Sequence, residues 1–339
     1  MSWTVLVLAA GALGSLLGGK LSRVAPVQFL GRAAHLDAIR TAGLRLAGLS
    51  REVLHPGPGL ALAETMQELS PPRAGAVVLL TVKAGATAAA AAELAAAYKR
   101  RWPRRRFPTL FTFQNGMGWE AALRKVWPGM VIHAVSHLGA TMVGPGMVED
   151  WGGEILLPRG GVAERLRRLL RRAGISARTA GDRAALERRR WEKFAFNCAL
   201  NALATLLEKP NHKALELRWR SLQRAVLAEV RAEASEAGVR LPGIAALGAE
   251  FERRVRASRN LNSMLQDLRA GRPTETAFLN REVAERAKSG RRSAPANVAL
   301  AGWIERLEAA KDAAERAAVR SRGLEELARL FPAGRREDR

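Results

Sequence analysis

One lysine and two asparagines interrupt an otherwise apolar run in this chain, Trp191-Glu192-Lys193-Phe194-Ala195-Phe196-Asn197-Cys198-Ala199-Leu200-Asn201. At about 100° per residue, positions 193, 197 and 201 fall within roughly 80° of one another, so a helix here carries an ammonium and two carboxamides along one face. Trp191, Phe194, Phe196, Cys198 and Leu200 crowd the rest of its surface. Polar groups on such a helix need hydrogen-bond partners, which a bound oxygen-rich molecule would supply. The segment also reads as the solvated edge of an amphipathic helix, and by itself it does not choose. The chemistry it suits is hydride addition to a ketone: a cation beside the carbonyl oxygen stabilises the developing negative charge and supplies the proton. Asparagines orient a substrate without adding a competing charge. A second polar stretch, Asn260-Leu261-Asn262-Ser263-Met264-Leu265-Gln266-Asp267-Leu268-Arg269, is followed by Pro273-Thr274-Glu275. Glu275 fits either a catalytic partner or an ordinary acidic residue in a helix's first turn.

The N-terminus points to a source of hydride. Trp3 to Leu8 reads as a buried strand, Ala9-Ala10-Gly11-Ala12-Leu13-Gly14 as a tight turn, and Ser15 to Leu21 as a helix. Such a turn lets backbone N–H groups and the positive end of the helix approach a pyrophosphate. Ala9 stands where the dinucleotide fingerprint has its first glycine, so this turn must tolerate a Cβ. An apolar N-terminus of small residues also suggests a signal peptide, but no basic region precedes the run and the glycines fall at dinucleotide spacing. The next strand, Val27 to Leu30, ends in Gly31-Arg32, where an NAD-type protein places a carboxylate on the ribose. An arginine there favours a 2′-phosphate and hence NADP(H). The plainer alternative is an exposed basic residue in an arginine-rich chain.

Further elements must hold these groups in place. Strands and helices alternate to about residue 180: a parallel strand at Ala76 to Lys83, an alanine-rich helix, a strand at Thr109 to Phe113 leading into Gln114-Asn115-Gly116-Met117-Gly118, strands at Val131 to Val135 and Glu154 to Leu157, and a turn at Gly144-Pro145-Gly146. The expected fold is α/β, a doubly wound and mostly parallel sheet, with Lys83 and Asn115 at strand ends where ligands bind. From Asp182 the pattern is helical, broken near Pro210, Pro242, Pro273 and Pro295. These readings divide the chain into a dinucleotide-binding domain at 1–181, an all-α substrate and catalytic domain at 182–330, and a basic tail at 331–339 expected to be disordered.

The chain has 339 residues, of which 48% are hydrophobic, enough for two packed cores. No run spans a membrane. A single cysteine excludes an intrachain disulfide, the five histidines lack metal-ligand spacing, and both features suit a reducing cytoplasm. The net charge of +23 invites polyanions. Yet the arginine clusters are dispersed and only one tyrosine occurs, so the stacking platforms of nucleic-acid binders are missing and no specific nucleic-acid partner is expected. No interface can be read from the sequence; the helical part is where a homodimer surface would lie.

Taken together and in order, Gly11 to Gly14, Gly31-Arg32, Val82-Lys83-Ala84, Gln114 to Gly118, Lys193 to Asn201, Pro210-Asn211, Ser263 to Asp267 and Thr274-Glu275 resemble the ketopantoate reductase (2-dehydropantoate 2-reductase) family over nearly the whole length. The resemblance implies an N-terminal Rossmann domain, a helical C-terminal domain, and NADPH-dependent reduction of 2-dehydropantoate to (R)-pantoate in pantothenate and coenzyme A synthesis. It implies Lys193 as general acid with Glu275 as its acidic partner. Asn115, Asn197, Asn201, Asn211, Asn260 and Ser263 would hold the 2-oxo acid. Ala9, Gly11, Ala12, Leu13, Gly14, Arg32 and Lys83 would bind NADP(H), with Asn115 and Glu275 also facing it. Ala9 and the strongly basic surface depart from the family pattern. Two other functions remain open: a related NADP-dependent reductase of another branched 2-oxo acid, and a non-catalytic NADP-binding sensor.

Overall fold

In the computed structural model, residues 2–333 are described, so positions 334–339 of the expected basic tail lie outside the described residues. The chain divides into two compact units. The first takes the chain up to Gln114 together with Trp119–Leu186; the second takes Asn115–Gly118 together with the chain from Glu187 onward.

The first unit begins with β1 (Trp3–Leu8), α1 (Ala12–Leu21), β2 (Val27–Leu30), α2 (Ala33–Ala42), β3 (Leu44–Gly48), β4 (Glu52–Leu54) and β5 (Leu60–Ala63). It continues with β6 (Pro72–Leu80), α3 (Thr87–Arg101), β7 (Thr109–Thr112), α4 (Glu120–Val126), β8 (Val131–His133) and β9 (Val135–Ser136). A hairpin of β10 (Gly139–Gly144) and β11 (Met147–Gly152) follows, then β12 (Ile155–Leu157), α5 (Gly161–Arg172) and β13 (Ala177–Thr179).

The main sheet has the order β5-β2-β1-β6-β7-β8, and every neighbouring pair in it is parallel. Its inner strands β1, β2, β7 and the second half of β6 are buried on both faces, which is why they read as continuous apolar runs: Val5, Leu6, Val7, Phe29, Val78, Leu79 and Phe111 are sealed from solvent. Counted along the chain, these six strands follow the dinucleotide-fold order 3-2-1-4-5-6, with the order reversing between β1 and β6.

Three strand readings need correction. The strand expected at Ala76 to Lys83 runs Pro72–Leu80. Its apolar part begins at Ala76, but pairing with β1 begins at Pro72 opposite Trp3, and at the other end Thr81 turns its hydroxyl onto the Leu8 and Ala9 carbonyls. Glu154 to Leu157 does not complete the main sheet. β12 lies in a separate three-stranded sheet ordered β13-β12-β9, and the run expected at Val131 to Val135 is shared, β8 pairing with β7 while β9 pairs with β12. An apolar run reveals a strand but not its hydrogen-bond partner. The expected turn at Gly144-Pro145-Gly146 closes the β10–β11 hairpin of a four-stranded sheet, β10-β11-β3-β4.

The second unit is helical: α6 (Arg183–Leu207) from Glu187 on, α7 (Arg220–Glu236), α8 (Ile244–Ala257), α9 (Ser263–Arg269), α10 (Asn280–Ser289), α11 (Pro295–Ala309) and α12 (Ala313–Leu330). Tight 3₁₀ turns at Asn211–Leu215 and Thr276–Phe278 separate some of them. Trp219, Phe251, Leu222, Val226, Leu300 and Ile304 form a core around α6, each burial contributing about 1.5–3 kcal/mol against the entropy of ordering the chain. No helix among the described residues is long and apolar enough to cross a membrane.

Candidate active site

In an open parallel sheet, ligands bind beyond the carboxyl ends of the strands where the order reverses. Here that point is marked by the turn after β1 and by Thr81 to Lys83 after β6. The first N–H groups of α1, on Ala12, Leu13 and Gly14, precede the first intrahelical bond, from Ser15 N–H to Gly11 O, and no side chain caps them. A Cβ on Gly11 would meet nothing within 4 Å, so space is open beside those donors. A Cβ on Gly14 would lie 2.5 Å from Thr81 Oγ1 and 2.6 Å from Ala9 O, so that glycine lets the helix sit against the turn. Ala9 has φ 72°, in the left-handed region that costs an L residue about 1–2 kcal/mol. The Thr81 hydroxyl donates to its carbonyl at 2.7 Å, as does the Gly11 N–H at 2.8 Å.

Arg32 is exposed and stands at the N-cap of α2, with no hydrogen bond or ion pair to its guanidinium among the described residues. No acidic residue occupies the first turn of that helix. Uncapped donors, open space and a cation fit a dinucleotide with a phosphorylated ribose. Lys83 is exposed three residues past the end of β6, at the start of a 3₁₀ turn rather than on the strand.

The other expected residues belong to the second unit. Within residues 191–206 of α6, only Lys193 and Asn197 escape full burial, and Asn201 follows on the same face at 5% exposure. The polar stripe is thus the sole opening along sixteen residues of an otherwise sealed helix, which is not the pattern of a solvated edge. No side-chain hydrogen bond is found for Lys193, Asn197 or Asn201 among the described residues. Desolvation lowers the Lys193 pKa to about 8, while the negative charge of Glu275 works against that shift. Glu275 is buried and precedes the short 3₁₀ turn Thr276–Phe278, not the α-helix expected there, so a helix dipole is not its partner. Asn115 Nδ2 donates to its Oε2 at 3.4 Å. The loop bearing Asn115 is held by Met117 N–H donating to Phe278 O at 2.9 Å. Gly116, at φ 76°, admits the approach, since a Cβ there would lie 2.2 Å from the same carbonyl.

Asn211 and Asn260 meet through Ser258. Asn211 Nδ2 donates to Ser258 Oγ at 2.9 Å, and that hydroxyl donates to Asn260 Oδ1 at 2.7 Å. Asn211 Oδ1 is buried without a partner. Ser263 opens α9, whose cap is Asn262, accepting from Leu265 N–H at 3.0 Å. Thr81, Ser258 and Asn262 are the contributors that spacing could not find, because each acts through a hydrogen bond to a segment distant in sequence or through a cap on a helix too short to announce itself.

Comparison with known proteins places the chain in a family. Residues 5–156 match the model of "Ketopantoate reductase PanE/ApbA" and residues 185–308 that of its C-terminal domain. The chain belongs to the ketopantoate reductase family. It is thus an oxidoreductase with a Rossmann-like domain and a helical C-terminal region. Among its relatives in the ketopantoate reductase family, the 2-dehydropantoate 2-reductase of Pyrococcus horikoshii is 27% identical over 304 residues, covering 87% of this chain and 94% of that one. A crystal structure of a PanE/ApbA family ketopantoate reductase from Ralstonia eutropha JMP134 superposes with a TM-score of 0.77 at 25% identity, covering 94% of this chain and 99% of that one. A D-mandelate dehydrogenase solved with NADH and anilino(oxo)acetate shares the fold, with a TM-score of 0.77 at 19% identity over 93% of this chain and 99% of that one.

Proposed function

We propose that the chain is a cytoplasmic NADPH-dependent 2-dehydropantoate 2-reductase, forming (R)-pantoate for pantothenate and coenzyme A synthesis. The observation that carries this reading is Lys193, a cation in the single opening of a sealed helix, with a pKa held at about 8 beside the charge of Glu275. Reduction of the ketone adds a hydride to carbon and a proton to oxygen; bound NADPH supplies the hydride. The protein supplies the proton. Lys193 Nζ donates it to the carbonyl oxygen, and its depressed pKa leaves it charged near pH 7 while making the transfer easier than from an ordinary lysine. Glu275 limits the depression, keeping the ammonium populated.

Asn197 and Asn201, aligned with Lys193 and without side-chain hydrogen bonds among the described residues, orient the 2-oxo acid. Ser263 and the buried Oδ1 of Asn211 serve its hydroxyl group, while Asn260 holds Asn211 through Ser258. Asn115, bonded to Glu275, fixes the carboxylate in place. In the first unit, the open N–H groups of Ala12, Leu13 and Gly14 receive the pyrophosphate beside Ala9 and Gly11. Arg32 takes the 2′-phosphate, and Lys83 adds positive charge.

The test is loss of NADPH absorbance with 2-dehydropantoate, run beside NADH and a panel of branched 2-oxo acids. Turnover with NADPH and 2-dehydropantoate is expected, and Lys193→Ala should lower kcat about 10²–10⁴-fold. Near-normal turnover by that variant would remove Lys193 from the mechanism. Turnover confined to another acid would move the substrate, and cofactor binding without turnover would make the protein a sensor.

A further inference from the structure

His35 is a buried histidine on α2, three residues after Arg32, and its ring joins three segments of the first unit. The Gly146 N–H of the β10–β11 turn donates to Nδ1 at 3.0 Å. A backbone amide can only donate, so Nδ1 carries the lone pair and Nε2 the proton. Nε2 lies 2.9 Å from Ser15 Oγ, to which it donates, and the Ser15 hydroxyl passes its own hydrogen to the Ala10 carbonyl at 3.2 Å. Burial lowers the histidine pKa and keeps the ring in this neutral form. The result is a directional chain, His35 Nε2–H to Ser15 Oγ–H to Ala10 O, that ends inside the turn after β1.

Both carbonyls of that turn are then engaged, Ala9 O by Thr81 and Gly11, and Ala10 O by Ser15. Neither can rotate toward an anion at the N-terminus of α1 without breaking a bond, and a carbonyl turned that way would repel a phosphate. The same ring fixes α2, whose N-cap is Arg32, in register with α1.

We propose that His35 is a positioning residue for the dinucleotide: through Ser15 it holds the turn after β1 and the helix bearing Arg32 in the arrangement that receives the phosphates. This rests on the dinucleotide reading given above. His35 touches no phosphate itself, so its loss raises KM and Kd for NADPH about tenfold and leaves kcat at saturating cofactor nearly unchanged.

The experiment is equilibrium binding of NADPH, followed by fluorescence, to the full chain and to His35→Asn, His35→Gln, Ser15→Ala and the Ser15→Ala/His35→Asn double variant, with Tm measured for each. Asn places an acceptor near Nδ1 and keeps only the Gly146 link, whereas Gln places a donor near Nε2 and keeps only the Ser15 link. His35→Gln should therefore bind NADPH within about threefold of the unaltered chain, even where its Tm falls. His35→Asn and Ser15→Ala should each weaken binding about tenfold, and the double variant no further, since both break one chain of bonds. Equal affinities in the Asn and Gln variants, affinities that simply track Tm, or additive losses in the double variant would overturn the inference. Absence of any NADPH binding by the unaltered chain would instead bring down the dinucleotide reading, and this inference with it.

Discussion

Lys193 is under two opposed influences, desolvation that drives its proton off and the Glu275 carboxylate that holds it on, and desolvation is the larger. The acid form of a lysine with a pKa of about 8 is present below that pH and lost above it, so kcat/KM for reduction should be level near pH 7 and fall as pH rises past about 8. Glu275→Gln removes the influence that raises the pKa, and the alkaline limb of that profile should move to lower pH; a limb that stays in place would mean that Glu275 does not act on Lys193. The type and spacing of Lys193, Asn197 and Asn201 were readable in sequence because a helix repeats at a fixed angle. The pKa was not, because it depends on which atoms of other segments displace water around Nζ. Asn211 and Asn260 show the same limit: their amides are largely engaged by Ser258, a pairing fixed by a loop fold and by no local pattern.

The turn between β1 and α1 bears the clearest departure from a dinucleotide fingerprint, and the structure shows what it costs. Ala9 adopts a left-handed φ that glycine adopts freely. Ala9→Gly should raise the free energy of unfolding by about 1 kcal/mol, the relief of strain being partly offset by the greater freedom of glycine in the unfolded chain. A shift in the denaturant midpoint at unchanged slope measures it, and a lowered midpoint would show that Thr81 and Gly11 hold the turn without strain. β1, α1, β2, α3 and β7 fell close to where the sequence pattern placed them, whereas α2, α5, β5 and β13 had no counterpart in that reading. The short strands β3, β4, β10 and β11 did not declare themselves, since three to six residues with mixed exposure offer little pattern, and β12 was legible as a strand but not as a member of its own small sheet.

Over the whole molecule, the basic residues are dispersed, and many of them are paired with local acids. Glu250, whose pKa is lowered to about 2 chiefly by Arg253 with Arg254 beside it, and the pairs Arg167–Glu164 and Arg178–Glu154 are of this kind. Exposed pairs of this sort contribute little to stability. The surplus of +23 remains, so the protein should adsorb to heparin and to duplex DNA alike, with the logarithm of the binding constant falling linearly with log salt and with no preference among sequences. A marked sequence preference in competition binding would show a nucleic-acid site that the dispersed arginines do not suggest. By itself the sequence determined an α/β part followed by an α part, the dinucleotide turn, and the Lys193 stripe, because burial periodicity and glycine spacing are local properties of a chain. Only the tertiary structure decided the 3-2-1-4-5-6 strand order, the approach of Asn115 to Glu275 across 160 positions, the depressed lysine pKa and the chain from His35 to Ala10. Each of these is a hydrogen bond or a desolvation between segments remote in sequence, and its partner is chosen by how the layers pack.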